Sequence, residues 1–492
     1  MCASLQQGTA GEDYKGATVK RIALFLLVAS LCSAQSWQRL TNNSPSSVAG
    51  TSLLLRDGRV MVHSTNTRVW SILTPDSTGS YVNGTWKLAA PLPDGYAPNA
   101  FASAILPDGR LIMAGGEYNN GIQEWTNLAA IYDPIADTWT PIPPPTGWQH
   151  IGDAASVVLS DGTFMLANCC THQWAILNPK TMIWTPTGSV LVANNNEASV
   201  RLLPDGTVQM VDDETGFLCG DNNTSTEIYD PGTGQWACGP HLPVQLWGND
   251  GELGPGVLTY DQSVVQFGGL LGGTAVLDLN TNLWSSGPTP GDYNADDGSS
   301  ALLPNGKILV EMRNDVSCQF MEYDPSNNTI ANTANPDECP GQRDIPSHRL
   351  LLLPTGQVLF SHASPSLEIY TPAPGYRQNA APTISPLAQL VISRGTLSPY
   401  VIRGQQLNGL SQATMKDDDA QQATNYPLVQ LTSVTTGEVW YARTHDDSSR
   451  SIAPNLVGYT KFNLNPAMPA GVFNLQVITN GIPSNTLTVT VR

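Results

Sequence analysis

One short pattern recurs seven times and constrains most of what this chain can become. An apolar run, a tight turn and a second apolar run read "LLLRDGRVMV", "AILPDGRLIM", "VVLSDGTFML", "RLLPDGTVQM", "VLTYDQSVVQ", "ALLPNGKILV" and "LLLPTGQVLF". The turn positions are Asp57, Asp108, Asp161, Asp205, Asp261, Asn305 and Thr355, spaced 44 to 56 residues apart. Asp-Gly and Asn-Gly between β-rich runs favour hairpins, because these residues tolerate the positive φ that such turns demand. A second half follows each hairpin, as in "AAIYDPIADTW", "WAILNPKTMIW", "TEIYDPGTGQW" and "AVLDLNTNLW", with weaker versions in "FMEYDPSNNTI" and "LEIYTPAPG". Each unit therefore holds about four strands. Units of this size and period cannot bury their faces alone, and they stack radially into a propeller. Charged residues make up only 13 %, while 44 Gly and 37 Pro supply the turns that many short strands need. The expected fold is all-β.

Details of the repeat carry a resemblance. "LIMAGGEY" and "VVQFGGLL" hold a double glycine after the hydrophobic run, and Tyr-Asp-Pro and Trp follow. This arrangement resembles the kelch motif and predicts a seven-bladed propeller over residues 35–376. The last unit lacks its tryptophan, and Trp37 in "SWQRL" is expected to supply the missing strand and close the ring. After Pro374 the pattern stops. "PYVIRGQQL", "YPLVQLTSV", "GEVWYARTH" and "FNLQVITNGIPSNTLTVTV" read as strands of a second domain over residues 381–492. That ending resembles the immunoglobulin-like, early-set β-sandwich of the galactose oxidase family. "ARTHDDSSR" is similar to the loop that carries a copper-binding histidine there.

The resemblance implies a copper radical centre of two tyrosines, two histidines and a cysteine crosslinked to one tyrosine. The residues do not supply it. Ala100 stands where one tyrosine is needed, eight residues before the turn at Asp108. Pro346 and Ser347 stand where a Tyr-His pair precedes the last turn, and His348 falls one place late. Only His445 has a counterpart among the family's ligands. Copper is therefore not the expected cofactor.

Carboxylates occupy these positions instead. Asp153, Glu197 and Asp297 each lie eight residues before a turn, and Glu252 lies nine before. These positions open the innermost strands, at one mouth of the central channel. The second strand of each hairpin returns to the same mouth, where polar pairs replace the double glycine: Asn168-Cys169, Asp212-Asp213, Met312-Arg313 and His362-Ala363. Converging carboxylates bind a cation, share a proton or face water. Asp153, Glu197 and Asp297 are the candidate acid–base groups, as on a sugar. Trp148, His150, Glu252 and Asp212 are candidate ligand contacts. An oxygen-rich ring suits Ca²⁺, and His348, His362 and His445 are candidate ligands for Zn²⁺.

Lys20 and Arg21 before "IALFLLVASL" and "CSAQS" read as a secretory signal over residues 1–34, too short for a comfortable membrane span. The expected location is secreted, periplasmic or cell-surface. A net charge of −18 excludes a nucleic-acid backbone as a partner and disfavours an anionic membrane. The expected function is to bind or process extracellular carbohydrate at the carboxylate mouth. The alternatives are a non-catalytic module that docks a protein partner, and a copper oxidase of carbohydrates or aldehydes.

Six cysteines remain after signal cleavage: Cys169, Cys170, Cys219, Cys238, Cys318 and Cys339. In an oxidising compartment an even count favours disulfides, with about 15 connectivities open. Cys219–Cys238 and Cys318–Cys339 would each close a loop within one repeat. That leaves Cys169 and Cys170 as a vicinal disulfide or two buried thiols. Thiol titration of the unfolded, unreduced mature protein decides between them: no free thiol is expected for the bridge, and two exclude it.

Overall fold

The computed structural model describes residues 35–492 except 193, 196–197, 213–217, 220–223, 249–252, 315, 340–347, 397 and 417–421. Five of the repeats fold as four-stranded antiparallel sheets in chain order, each running from the axis outward, and blade six does the same with one strand added. Blade one, for example, comprises Ala49–Leu54, Val60–Ser64, Trp70–Thr74 and Thr85–Leu88. In blade seven the strands His348–Leu352, Val358–His362 and Glu368–Thr371 are completed by Ser36–Arg39. Trp37 pairs opposite Tyr370 and packs on Phe320, Phe360 and Tyr370, so the ring closes where its tryptophan predicted.

The outer tryptophans also join neighbouring blades. The indole N–H groups of Trp37, Trp86, Trp139 and Trp184 donate to the carbonyls of Ala334, Asn42, Ala90 and Pro143, at 2.7 to 3.0 Å. Each bond reaches the preceding blade. At these four positions the ring packs within one blade and the polar atom is spent on the preceding one, whereas the indole N–H groups of Trp236 and Trp284 have no partner among the described residues.

Residues after 381 form a sheet whose central strand, Val439–His445, pairs with Leu428–Ser433 along its first half and Val457–Asn463 along its second. The two halves enclose one apolar core that includes Ile402, Val429, Phe462 and Leu475. This unit rests on the turn end of the propeller. Thr444 N donates to Arg56 O and Asp446 N to Pro107 O, beside the turns of blades one and two. Asp447, 2 % exposed, accepts both Arg56 amino groups and lies 3.6 Å from Arg450. Tyr426 fits between these guanidinium groups, 5.2 and 4.7 Å from its ring centre.

A finger from the second unit enters the propeller axis. Inner strands leave backbone N–H and C=O groups facing the channel, and a buried orphan is costly. Leu202, Leu302 and Leu352, at the same place in their repeats, donate to Gln412 Oε1, Ala413 O and Thr414 Oγ1. Thr414–Met415 adds a fifth strand to blade six. Gln422 and Tyr426 donate to Ser52 O and Leu54 O of blade one.

His63, fully buried between Trp70 and Phe101, bonds its own hairpin through Thr67 O. Burial lowers its pKa from 6.5 to about 4, so the folded state keeps it neutral while the unfolded state takes up a proton. Its stabilising contribution is complete above 6.5 and is lost as pH falls towards 4. The loss amounts to about 3 kcal/mol. Urea midpoints measured across that window should fall in the native protein and flatten in His63→Phe.

Candidate functional site

The mouth opposite the turns is built by the starts of inner strands and the loops that follow the second strands. Blade two contributes a small sheet at this mouth: Pro98–Asn99, Tyr118–Asn119 and Ile122–Gln123. Tyr118 is half-buried there. Burial raises its pKa first, and the carboxylates of Glu117, Asp153 and Asp297 raise it further. Three acids from blades two, three and six therefore act on one phenol. Asp153 is buried, whereas Asp297 keeps part of its carboxylate in solvent. Asp297 adopts φ 55°, a left-handed conformation that Asp tolerates and that bends the chain at the start of blade six.

The finger delivers a cation to this cluster. Lys416 is 3 % exposed, and its Nζ lies 3.2 Å from Asp297 Oδ1. The bonds accepted by Gln412 Oε1, Ala413 O and Thr414 Oγ1 hold it in the axis. Beside it, Arg313 pairs with the buried Asp296, at the double-glycine position of blade six. Neither Lys416 nor Tyr118 was visible in the repeat pattern. Lys416 comes from the second unit, and Tyr118 from a blade insertion.

One wall of the mouth is aromatic. Trp148 does not form it: at 8 % exposure it packs in the core of blades two to four. Its apolar ring is more stable there than in water. The exposed tryptophan is Trp125, at 41 %, with its ring centre 5.5 Å from that of His150. Cys169 and Cys170 are bridged at this rim. Cys169 N donates to Ile151 O at 3.0 Å, which sets the bridge next to Asp153. Gly152 takes φ 69°, a conformation that favours glycine, and it packs directly against Cys169 and Trp125. The other pairs are Cys219–Cys238 and Cys318–Cys339. Asp212 is buried at the end of the second strand of blade four. Glu197 and Glu252 lie outside the described residues.

The three histidines do not meet. His348 and His362 face each other across blade seven with ring centres 6.3 Å apart and planes perpendicular. His348 is fully buried, and its Nδ1 lies 2.6 Å from Glu311 Oε1. His362 uses Nε2 on Ser366 O and is held below the ordinary histidine value by burial and by His348. His445 sits at the turn end, between Asp446 and Asn463, because its strand lies on the propeller's base. The element that reaches the mouth from the second unit is the finger, not "ARTHDD". No group of three or more His, Cys, Asp or Glu able to hold a metal occurs among the described residues. Ala100 stands at the mouth without a phenol, and these donors do not fit a copper centre.

A fungal alcohol oxidase of the AA5 family, solved in complex with copper, superposes with a TM-score of 0.53 at 15 % identity. The alignment covers 93 % of this chain and 99 % of that one. The chain has that fold. A streptogramin B lyase aligns over 68 % of this chain and 97 % of its own, with a TM-score of 0.45 at 13 % identity. The Kelch-like protein terF of Aspergillus terreus is 34 % identical over 86 residues, 17 % of this chain. The match spans 18 % of that relative's length. No family model matches the chain. No helix among the described residues is long and apolar enough to cross a membrane.

Lys416→Met should leave Asp297 without its cation and cost about 2 kcal/mol, below the range for a fully buried pair because Asp297 is partly exposed. Adding Asp297→Asn should recover most of that loss. Urea unfolding of the two single variants and the double variant checks the coupling.

Proposed function

We propose that the chain is a secreted propeller protein that binds extracellular carbohydrate at the mouth formed by Glu117, Tyr118, Asp153 and Asp297. The observation that carries this reading is a half-buried phenol bonded by Glu117 and held up in pKa by the nearby charges of Asp153 and Asp297, at a rim that also exposes the ring of Trp125. Ionised carboxylates only accept hydrogen bonds, and sugar hydroxyls are donors. An aromatic face stacks against the apolar face of a pyranose, and a few converging polar groups orient it. Lys416 offsets part of the negative charge, so the site needs no transition metal to hold its acids together. A cation taken up there would meet oxygen donors, which suit Ca²⁺ better than Zn²⁺.

A second reading, a surface module that docks a protein partner, draws on the same face. Ile122, on the small sheet of blade two, and Leu271 and Val316, on loops that follow second strands, are exposed and so rim the mouth. An apolar rim of this kind marks many protein contacts.

Calorimetric titration with a panel of neutral oligosaccharides tests the first reading. The native protein should bind at least one of them. Asp153→Asn, Asp297→Asn and Tyr118→Phe should each weaken it about tenfold, the loss expected for one hydrogen bond to a charged group. Binding that is unchanged in all three variants, or absent across the panel, overturns the reading in favour of a protein partner.

A further inference from the structure

Away from the mouth, one buried charge has no counter-charge. Arg201 lies on the inner strand of blade four, Ser199–Leu202, and is 1 % exposed. Its guanidinium is surrounded by neutral oxygens. Nη1 donates to Gln209 Oε1 at 3.1 Å, and Nη2 donates to Ser199 Oγ at 2.8 Å, Ser199 O at 3.2 Å and Gln266 Oε1 at 2.5 Å. Among the described residues no carboxylate pairs with it, and burial alone lowers its pKa, to about 9. Two other buried arginines, Arg56 and Arg450, show the usual solution, since they share Asp447. An isolated buried cation is costly, and arginine does not escape the cost by deprotonating near neutral pH.

Two N–H donors beside this charge are also unsatisfied. Arg201 Nε and the amide Nε2 of Gln209 are buried with no partner among the described residues. Gln209 sits directly opposite Arg201 in the strand register. Gln266 does not compete for the same place, because its amide donates to Gly254 O and Phe267 O. The wall is shaped around the guanidinium: a Cβ at Gly256 would overlap its Nη2. One uncompensated positive charge and two unpartnered buried donors therefore belong to facing residues of blade four, in the wall beside blade five. A water molecule could accept from the donors but would leave the charge unbalanced.

We propose that this wall holds a buried monovalent halide, chloride under ordinary salt, bound by Arg201 Nε–H and the Gln209 amide. One charge calls for one charge, and two donors suit a small spherical anion. The halide is a structural ligand of the ring, distinct from anything bound at the mouth.

The test uses mature protein refolded from urea with its disulfides intact, in sodium bromide, and crystallised. An anomalous bromine peak within hydrogen-bond reach of Arg201 Nε and Gln209 Nε2 is expected. A water, or no density, at that place overturns the proposal whatever the melting curves show. In solution, Tm should climb with chloride concentration relative to sodium gluconate at equal ionic strength. Gln209→Leu keeps the charge and should raise the half-saturating chloride concentration about tenfold. Arg201→Met should abolish the chloride dependence. If that variant does not fold, the bromide map and Gln209→Leu decide alone. Equal Tm in chloride and gluconate for the native protein overturns the proposal.

Discussion

Every other feature depends on the pairing of Ser36–Arg39 with Glu368–Thr371. Propeller blades are held by side-to-side packing, and an open ring would leave two apolar blade faces in water. The N-terminal strand ends that exposure, because one blade then contains both ends of the repeat array. Trp37 completes the join with three aromatic contacts and a hydrogen bond to blade six. Closure forces seven inner strands around one axis. That common axis brings residues far apart in sequence to one mouth.

Closure also creates the problem that the second unit solves. Seven inner strands present unpaired backbone groups to a narrow channel. Residues 412–414, 422 and 426 satisfy equivalent N–H groups in blades four, six and seven and carbonyls in blade one. The two units are thus joined through the axis as well as through the Arg56–Asp447–Arg450 cluster at the base. The same finger carries Lys416 up to Asp297. The charge balance of the mouth, which belongs to the propeller, is therefore set by a residue from outside it.

The repeat made much of the architecture legible. Turn residues at fixed places located the hairpins, and the tryptophans located the outer strands. Counting back from the turns put Asp153 and Asp297 at one mouth, because position within a repeat translates directly into height along the axis. The same counting could not locate side chains on insertions or on another unit. Tyr118 lies in an extra hairpin of blade two, Trp125 follows it, and Lys416 comes from beyond residue 400. His445 was misplaced for a related reason: a short string of residues similar to a ligand loop says nothing about which end of the propeller it faces. Trp148 and Trp125 are both near His150, and only packing decides which ring is buried.

The sequence by itself determined the all-β class, the seven blades, the strand that closes them and the repeat positions of Asp153 and Asp297, since local turn chemistry and strand period act over a few residues. Tertiary structure alone decided which acids share a partner, which tryptophan meets solvent, where the finger runs and which arginine is left without a counter-ion. Those outcomes depend on distances between blades and between units. Such distances are fixed only when the ring closes and its interior fills.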